Sequence, residues 1–347
     1  MFISLIGFII ICICIYYKVR KRIICLMYHN VFEEGTEGII SEAEFEKHMD
    51  YLNFKKMITY KMEELEKIEY PLSKKSIFIT FDDGYKNNYT KAFPILKKYN
   101  TKATIFINTK YIGKDKDYLN WDEIKEMYES GLIDFQLHTH SHSPVIREPK
   151  IKGFFLENEG DFVKREYFSI FENSFLENEK VSDFRELDFN GLPVFKIRSQ
   201  IAIKGLKLKK GFINKYKEIM ASSNIKDKST KEKKDFLNHL FKTKKDEFFE
   251  EISEEEYKKT LEYEIKENKR LIEEKLNKKA EFLSYPWGHR YEKDIRKIKE
   301  MGIKYFVMTS DKTNGLKIKH NNIFRINGDK LKDYDLFKKK IKSVYGK

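Results

Sequence analysis

Asp82 and Asp83 stand side by side at the end of an apolar run, Ile77-Phe78-Ile79-Thr80-Phe81, and Gly84 follows them. Further along comes His138-Thr139-His140-Ser141-His142, which holds three of the chain's eight histidines. Carboxylates and imidazoles are ligands for a divalent ion. Two His and one carboxylate bind it while leaving coordination positions open for water and substrate. Of two adjacent carboxylates at a strand end, one can bind metal and the other can move protons. Taken alone, Asp-Asp-Gly is more often a turn and a His-rich stretch more often a solvated loop. Their joint occurrence, each after a strand-like run, points to a metal-dependent hydrolytic site. His138 and His142 can converge on one ion if the segment between them coils by about one turn.

Both motifs need strands that deliver them to one end of a sheet. Ile23–Tyr28, Ser76–Phe81, Ala103–Ile107 and Ile133–Leu137 read as strands. Between them, Ser41 and Glu44 form a capping box for an amphipathic helix, and Lys86–Tyr99 and Trp121–Tyr128 carry helical spacing. The βαβα rhythm predicts a parallel sheet, which places chemistry at its carboxyl edge. Residues 149–251 break the rhythm and read as an insertion rich in Phe, Lys, Glu and Asn. Beyond it, Ser253 with Glu256 starts a long helix, and Phe282–Tyr285, Tyr305–Met308 and Ile323–Ile326 supply later strands. Helices over Glu292–Met301 and Tyr334–Val344 complete the pattern. The expected fold is α/β, a distorted (β/α)-barrel of about seven parallel strands spanning 23–345.

At these residues the chain resembles the polysaccharide deacetylases, carbohydrate esterase family 4. Thr80-Phe81-Asp82-Asp83-Gly84 matches the first signature, and His138-Thr139 with His142 matches the second. Tyr285-Pro286-Trp287-Gly288 is similar to the aromatic turn that ends the third. Leu26-Met27-Tyr28-His29-Asn30 and Phe324-Arg325-Ile326 resemble the first and last strands of the branch acting on poly-N-acetylglucosamine. The resemblance implies hydrolysis of N-acetyl groups on an N-acetylated glycan, releasing acetate. It assigns the metal to Asp83, His138 and His142, with zinc ahead of iron, nickel or cobalt on donor type. Asp82 takes the general-base role. Tyr285, Pro286 and Trp287 are expected at the substrate, with a backbone N–H of Tyr285 or Trp287 facing the oxyanion, and His29 borders the site. Two departures stand out. The usual Arg of the third signature is replaced by Phe282 and Leu283, which leaves Arg325 as the residue to orient Asp82. The usual Leu-x-x-His is missing, which leaves His320 as the nearest general acid. An O-acetyl esterase or deformylase acting on a lipid-linked sugar would use the same residues. A catalytically silent, membrane-tethered glycan-binding protein would keep the barrel without the general acid.

The net charge of +13 comes from Lys interspersed with Glu rather than from one basic block, so nucleic acid is not an expected partner. Hydrophobic content of 41% supports a substantial core. Cys12, Cys14 and Cys25 form no disulfide or zinc-finger framework. Phe2–Tyr17 carries no charge, and Lys18-Val19-Arg20-Lys21-Arg22 follows at once. Residues 1–20 are therefore expected to be a single membrane helix. The positive flank favours a cytoplasmic catalytic domain, whereas the family's exported substrates favour the opposite side. Oligomeric state is not legible.

Overall fold

A computed structural model describes residues 7, 22–35, 39–68, 72, 73, 75–172, 174, 183–291, 293 and 295–345. The seven strand-like runs form β1 (Arg22–Tyr28), β2 (Ser76–Phe81), β3 (Ala103–Ile107), β4 (Ile133–Leu137), β5 (Phe282–Ser284), β6 (Tyr305–Thr309) and β7 (Ile323–Asn327). They lie in the order β1-β7-β6-β5-β4-β3-β2, and β1 pairs with β2 in parallel to close the ring. The expected barrel of seven parallel strands is present. The helix expected over 1–20 lies outside the described residues, Gly7 apart, as do Cys12 and Cys14. No helix among the described residues is long and apolar enough to cross a membrane.

Alternation along each strand layers the barrel interior. Cys25, Phe78, Phe106, Phe282, Val307 and Ile323, from six different strands, meet in one buried cluster, so these positions point inward. Burial pushes the Cys25 thiol up to about 12, which makes it inert at neutral pH. Two residues further along the strands the same face carries Thr80, Ser284 and Arg325, all buried. An apolar layer thus supports a polar one. On β4 the inward positions are Asp134 and Gln136. Asp134 is ion-paired with Lys278 and accepts from the Gln136 amide at 3.1 and 3.2 Å, so this buried charge is compensated.

The outer helices begin where side chains can satisfy their first N–H groups. Ser41 and Glu44 form the reciprocal capping box of Glu42–Phe54, at 2.8 and 3.1 Å, and Asn120 with Glu123 does the same for Trp121–Glu129. The helix expected over Lys86–Tyr99 is present from Lys86 to Lys98, with a π-helical stretch, Asn88–Ala92, leading into Phe93–Lys98. Pro94 offers no N–H to the carbonyl four residues back, which favours the wider turn. The helix expected over Glu292–Met301 is confined to Arg296–Lys299, with residues 292 and 294 outside the described set.

The chain divides into two units. The first holds the barrel, and the second comprises His142–Glu264 and His289–Ile295. The latter has its own four-stranded antiparallel sheet, in which Pro144–Phe154 pairs with Pro193–Ser199 and with Leu206–Leu208, and Leu206–Leu208 pairs with Phe249–Glu251. Phe155, Phe171, Phe189, Phe195, Phe212 and Phe241 fill its separate core. Most of the described Phe of the Phe/Lys/Glu-rich segment is therefore interior, Phe236 being an exposed exception, and much of its Lys and Glu lies on the surface.

Candidate active site

Asp82 leaves β2 in step with Phe78 and Thr80, which aims its carboxylate inward at the strands' carboxyl ends. Arg325 on β7 grips both oxygens, Nη1 donating to Oδ1 at 2.6 Å and Nη2 to Oδ2 at 2.7 Å. Ser284 on β5 accepts from Nη2 at 2.7 Å and donates to Asp82 Oδ2 at 3.3 Å. Thr80 accepts from Nη1 at 3.2 Å and donates to the Leu26 carbonyl at 2.8 Å. Arg325 is 0% exposed and Asp82 3%. Burial alone would raise the Asp82 pKa, but the Arg325 charge, then His138 and the hydrogen bonds from Arg325, hold it well below the usual carboxylate range. Asp82 is an ionised carboxylate in a fixed orientation.

Adjacent strand residues normally face opposite ways. At Asp83 the backbone turns left-handed, with φ of +74°, and Gly84 follows at +80°. A Cβ at Gly84 would lie 2.8 Å from Ile107 Cγ2, so glycine is required there for space as well as conformation. The turn brings both carboxylates to one imidazole: His138 Nε2 is 3.5 Å from Asp83 Oδ1 and 3.8 Å from Asp82 Oδ2. His138 Nδ1 lies 2.9 Å from the Ser284 carbonyl, which can only accept, so Nδ1 carries the proton. The Nε2 lone pair then faces Asp83. That is the tautomer a metal ligand needs.

His142 joins them without the expected helical turn. The segment from 138 to 142 is irregular, and left-handed residues at Thr139 (φ +70°) and His142 (φ +54°) bend it back. One donor atom each from Asp83, His138 and His142 lies within 4.8 Å of the other two. Asp83, His138 and His142 would be the residues to hold a divalent ion, their carboxylate and imidazole donors being of the type such an ion takes. Burial raises the Asp83 pKa, opposed by His138 and His29, and a cation would favour the ionised form further. The donor set fits a divalent ion.

His29 follows β1 on the same rim. Its Nδ1 is 2.8 Å from Asp329 Oδ2, with 32% of the His29 side chain exposed and 2% of Asp329. Burial lowers the His29 pKa, but the hydrogen bond and charge of Asp329, with Asp83 and Asp82 beyond, outweigh it and push it up to about 9. Gly328 lies so close to Tyr28 that any Cβ there would collide with the ring, and this approach sets Asp329 beside His29.

A family model described as Polysaccharide deacetylase matches residues 69–161, a stretch that contains Asp82, Asp83, His138 and His142. The chain carries a polysaccharide deacetylase domain. Among similar proteins, YxkH of Bacillus subtilis (strain 168) is 41% identical over 121 residues, which cover 34% of this chain and 42% of that protein. A poly-beta-1,6-N-acetyl-D-glucosamine N-deacetylase of Staphylococcus aureus (strain MRSA252) is 32% identical over 152 residues, covering 40% of this chain and 50% of that protein. The chain thus spans about half the length of the curated relatives it matches, or less. The solved de-N-acetylase from Aggregatibacter actinomycetemcomitans superposes with a TM-score of 0.56 at 16% identity, covering 89% of this chain and 95% of that one. IcaB from Ammonifex degensii gives 0.52 at 16% identity, covering 94% and 97%. At such identities the structural likeness establishes the fold alone.

The fold does not bring every expected residue to the Asp83–His138–His142 donor set. His320 precedes β7, and its carbonyl accepts from Phe306 N at the start of β6. Its exposed ring packs 4.4 Å from Tyr305, at the amino end of the strands. The general-acid expectation for His320 is therefore corrected: it sits at the barrel end opposite Asp82. Tyr285 is 1% exposed with its ring stacked 5.9 Å from Phe306, so it packs the core and offers no face to a sugar. Its N–H points to the Val307 carbonyl at 3.3 Å, which removes it as an oxyanion donor. Pro286 is buried, and Trp287 is half-buried with a left-handed φ of +53°. Sequence reasoning missed Ser284, Asp329, Asn108 and Asn268. The period-two step from Phe282 was a usable signal for Ser284; the other three belong to no motif.

Proposed function

We propose that this chain removes N-acetyl groups from an N-acetylated amino-sugar polymer, with β-1,6-linked N-acetylglucosamine as the substrate class. The observation that carries the reading is an Asp83–His138–His142 donor set, its first two members buried and His142 half-buried, beside an ionised Asp82 held bidentately by Arg325. The name of the Staphylococcus aureus relative supports the substrate class. Asp83, His138 and His142 would hold the ion, zinc by donor type. A bound divalent ion supplies Lewis acidity, acidifying a coordinated water and polarising the amide carbonyl.

The remaining work falls to side chains. Asp82 accepts the proton of the attacking water, and Arg325, Ser284 and Thr80 keep its carboxylate from rotating away. The water oxygen bonds to the carbonyl carbon, the C–N bond breaks, and the departing nitrogen needs a proton. We assign that proton to His29. Its Nδ1 is occupied by Asp329, its proton is retained at neutral pH, and its ring is partly open to solvent at the rim. The products are acetate and an amine, so each turnover adds one positive charge to the glycan. Trp287 supplies the backbone N–H candidate for the oxyanion.

The test is acetate release from β-1,6-linked N-acetylglucosamine oligomers, run beside O-acetyl and N-formyl sugars. Asp82→Asn should abolish release while retaining metal, whereas His138→Ala should lose both. Turnover by Asp82→Asn would remove the base assignment, and a preference for O-acetyl or N-formyl substrates would reassign the reaction. We further propose a membrane tether at residues 1–20, supported by the uncharged Phe2–Tyr17 run and the basic residues after it. Recovery of the full chain in the soluble fraction of lysed cells would contradict that tether.

A further inference from the structure

The ligand His138 leaves β4 where the sheet opens. The ladder between β3 and β4 ends at the pair Ile107–Leu137, and from there the chains separate to form the rim. Asn268, fully buried on the helix Glu254–Leu276, occupies the gap. Its Oδ1 accepts from His138 N at 3.1 Å, and its Nδ2 donates to the Ile107 carbonyl and to Thr109 Oγ1, both at 3.0 Å. The His138 N–H also points to the Ile107 carbonyl at 3.3 Å, so the side-chain amide shares that donor and that acceptor and braces the last, long rung between the diverging strands. Asn108, also fully buried, holds the far side: its Nδ2 donates to the His138 carbonyl at 2.7 Å. The His138 backbone is gripped at both its N–H and its C=O.

This grip opposes a local preference. Thr139 is β-branched and sits at φ +70°, a region such residues avoid because Cβ crowds the backbone. His142 adopts a second left-handed turn three residues on. Thr109, fixed by Asn268, lies 2.9 Å through Oγ1 from His140 Nδ1, so the same amide also tethers the middle of the segment. We propose that Asn268 is a positioning residue of the metal centre, holding the strained 138–142 segment so that His138 and His142 face Asp83. This rests on the reading that Asp83, His138 and His142 bind a divalent ion. Loss of the amide would let the segment relax toward ordinary backbone and swing the imidazoles off the ion.

The experiment is a Zn2+ titration of the full chain against a competing chromophoric chelator, with thermal melting of the metal-free protein in parallel. Asn268→Ala and the milder Asn268→Ser are compared with Ile265→Ala, which creates a cavity on the same helix away from these hydrogen bonds. Disrupting the outer partners of a metal site typically weakens binding about 10–100-fold. We expect a weakening of that order for both Asn268 variants and none for Ile265→Ala at a similar loss of melting temperature. Native Zn2+ affinity in a folded Asn268→Ser overturns the proposal, as does equal weakening in Ile265→Ala. If Asn268→Ala does not fold, the serine variant and Asn108→Ala decide the question by the same criterion. Failure of the unsubstituted chain to bind Zn2+ would instead refute the metal reading itself.

Discussion

Replacing Arg325 by Met isolates the contact on which the carboxylate chemistry depends. The methionine side chain ends where the arginine Nε sits, so the change keeps an apolar stem and removes the guanidinium carbon with both terminal nitrogens. Asp82 would then be a carboxylate 3% exposed, deprived of two charge-assisted hydrogen bonds of 2.6 and 2.7 Å. Ser284 and Thr80 would lose the donor they accept from at 2.7 and 3.2 Å. Removing one partner of a buried ion pair costs about 3–5 kcal/mol, because the other charge stays desolvated. We expect urea denaturation of the metal-free protein at pH 7.5 to show a loss in that range. The double variant Arg325→Met/Asp82→Asn should recover part of it, since a neutral amide tolerates the site better than an unpaired carboxylate. Arg325→Lys should fall between, keeping charge without the planar fork. Acetate release should drop at least about 100-fold in Arg325→Met, the lower end of what a positioned general base contributes. A Met variant within about 1 kcal/mol of the parent and still turning over would show that Arg325 neither stabilises nor aims Asp82.

Three further expectations follow from neighbouring groups. Asp329 raises the His29 pKa to about 9, and an acid must be protonated to act. Activity should therefore fall as pH rises through that value, and Asp329→Asn should move this alkaline limb of kcat/KM to lower pH; an unmoved limb would remove His29 from the acid role. His48 is fully buried, with Nε2 on the Leu331 carbonyl at 2.9 Å and Nδ1 on Tyr28 Oη at 3.0 Å, and burial lowers its pKa from 6.5 to about 4. The unfolded chain binds this proton first as pH falls, so its stabilisation is present above 6.5 and lost toward 4. At about 1.36 kcal/mol per pH unit the loss approaches about 3 kcal/mol. His48→Gln should be less acid-sensitive by about that amount in denaturation curves from pH 7 to 4, and parallel curves would contradict this. His320→Ala should leave kcat within about two-fold, because its ring sits at the far end of the barrel; a large loss would return it to the chemistry.

The strands were legible because the barrel is buried on both faces, so its strands read as short apolar runs. Alternation then placed Asp82 inward after Phe78 and Thr80. What one-dimensional pattern could not supply was contact between distant turns. The pair His29–Asp329 joins the first strand's exit to the last strand's exit, and Asp329 carries no motif. His320 misled because proximity in sequence to β7 says nothing about which end of the strand a residue occupies. Tyr285 looked like a sugar platform because aromatic type alone does not distinguish a ring stacked on Phe306 from one facing solvent. The convergence of His138 and His142 was anticipated by a helical turn, whereas left-handed residues at Thr139 and His142 achieve it. No propensity argument would place a threonine there. In the Phe-rich segment, the dense Lys and Glu masked a second core, since the apolar residues recur on short elements of differing period.

The decisive measurement is acetate release from β-1,6-linked N-acetylglucosamine oligomers by chelator-stripped protein as Zn2+ is added back. The account predicts that activity is absent without metal, rises linearly, and saturates at one ion per chain, with Asp83→Asn, His138→Ala and His142→Ala each failing to respond. Acetate release that is indifferent to chelation, or that persists when any of those three side chains is removed, would contradict it.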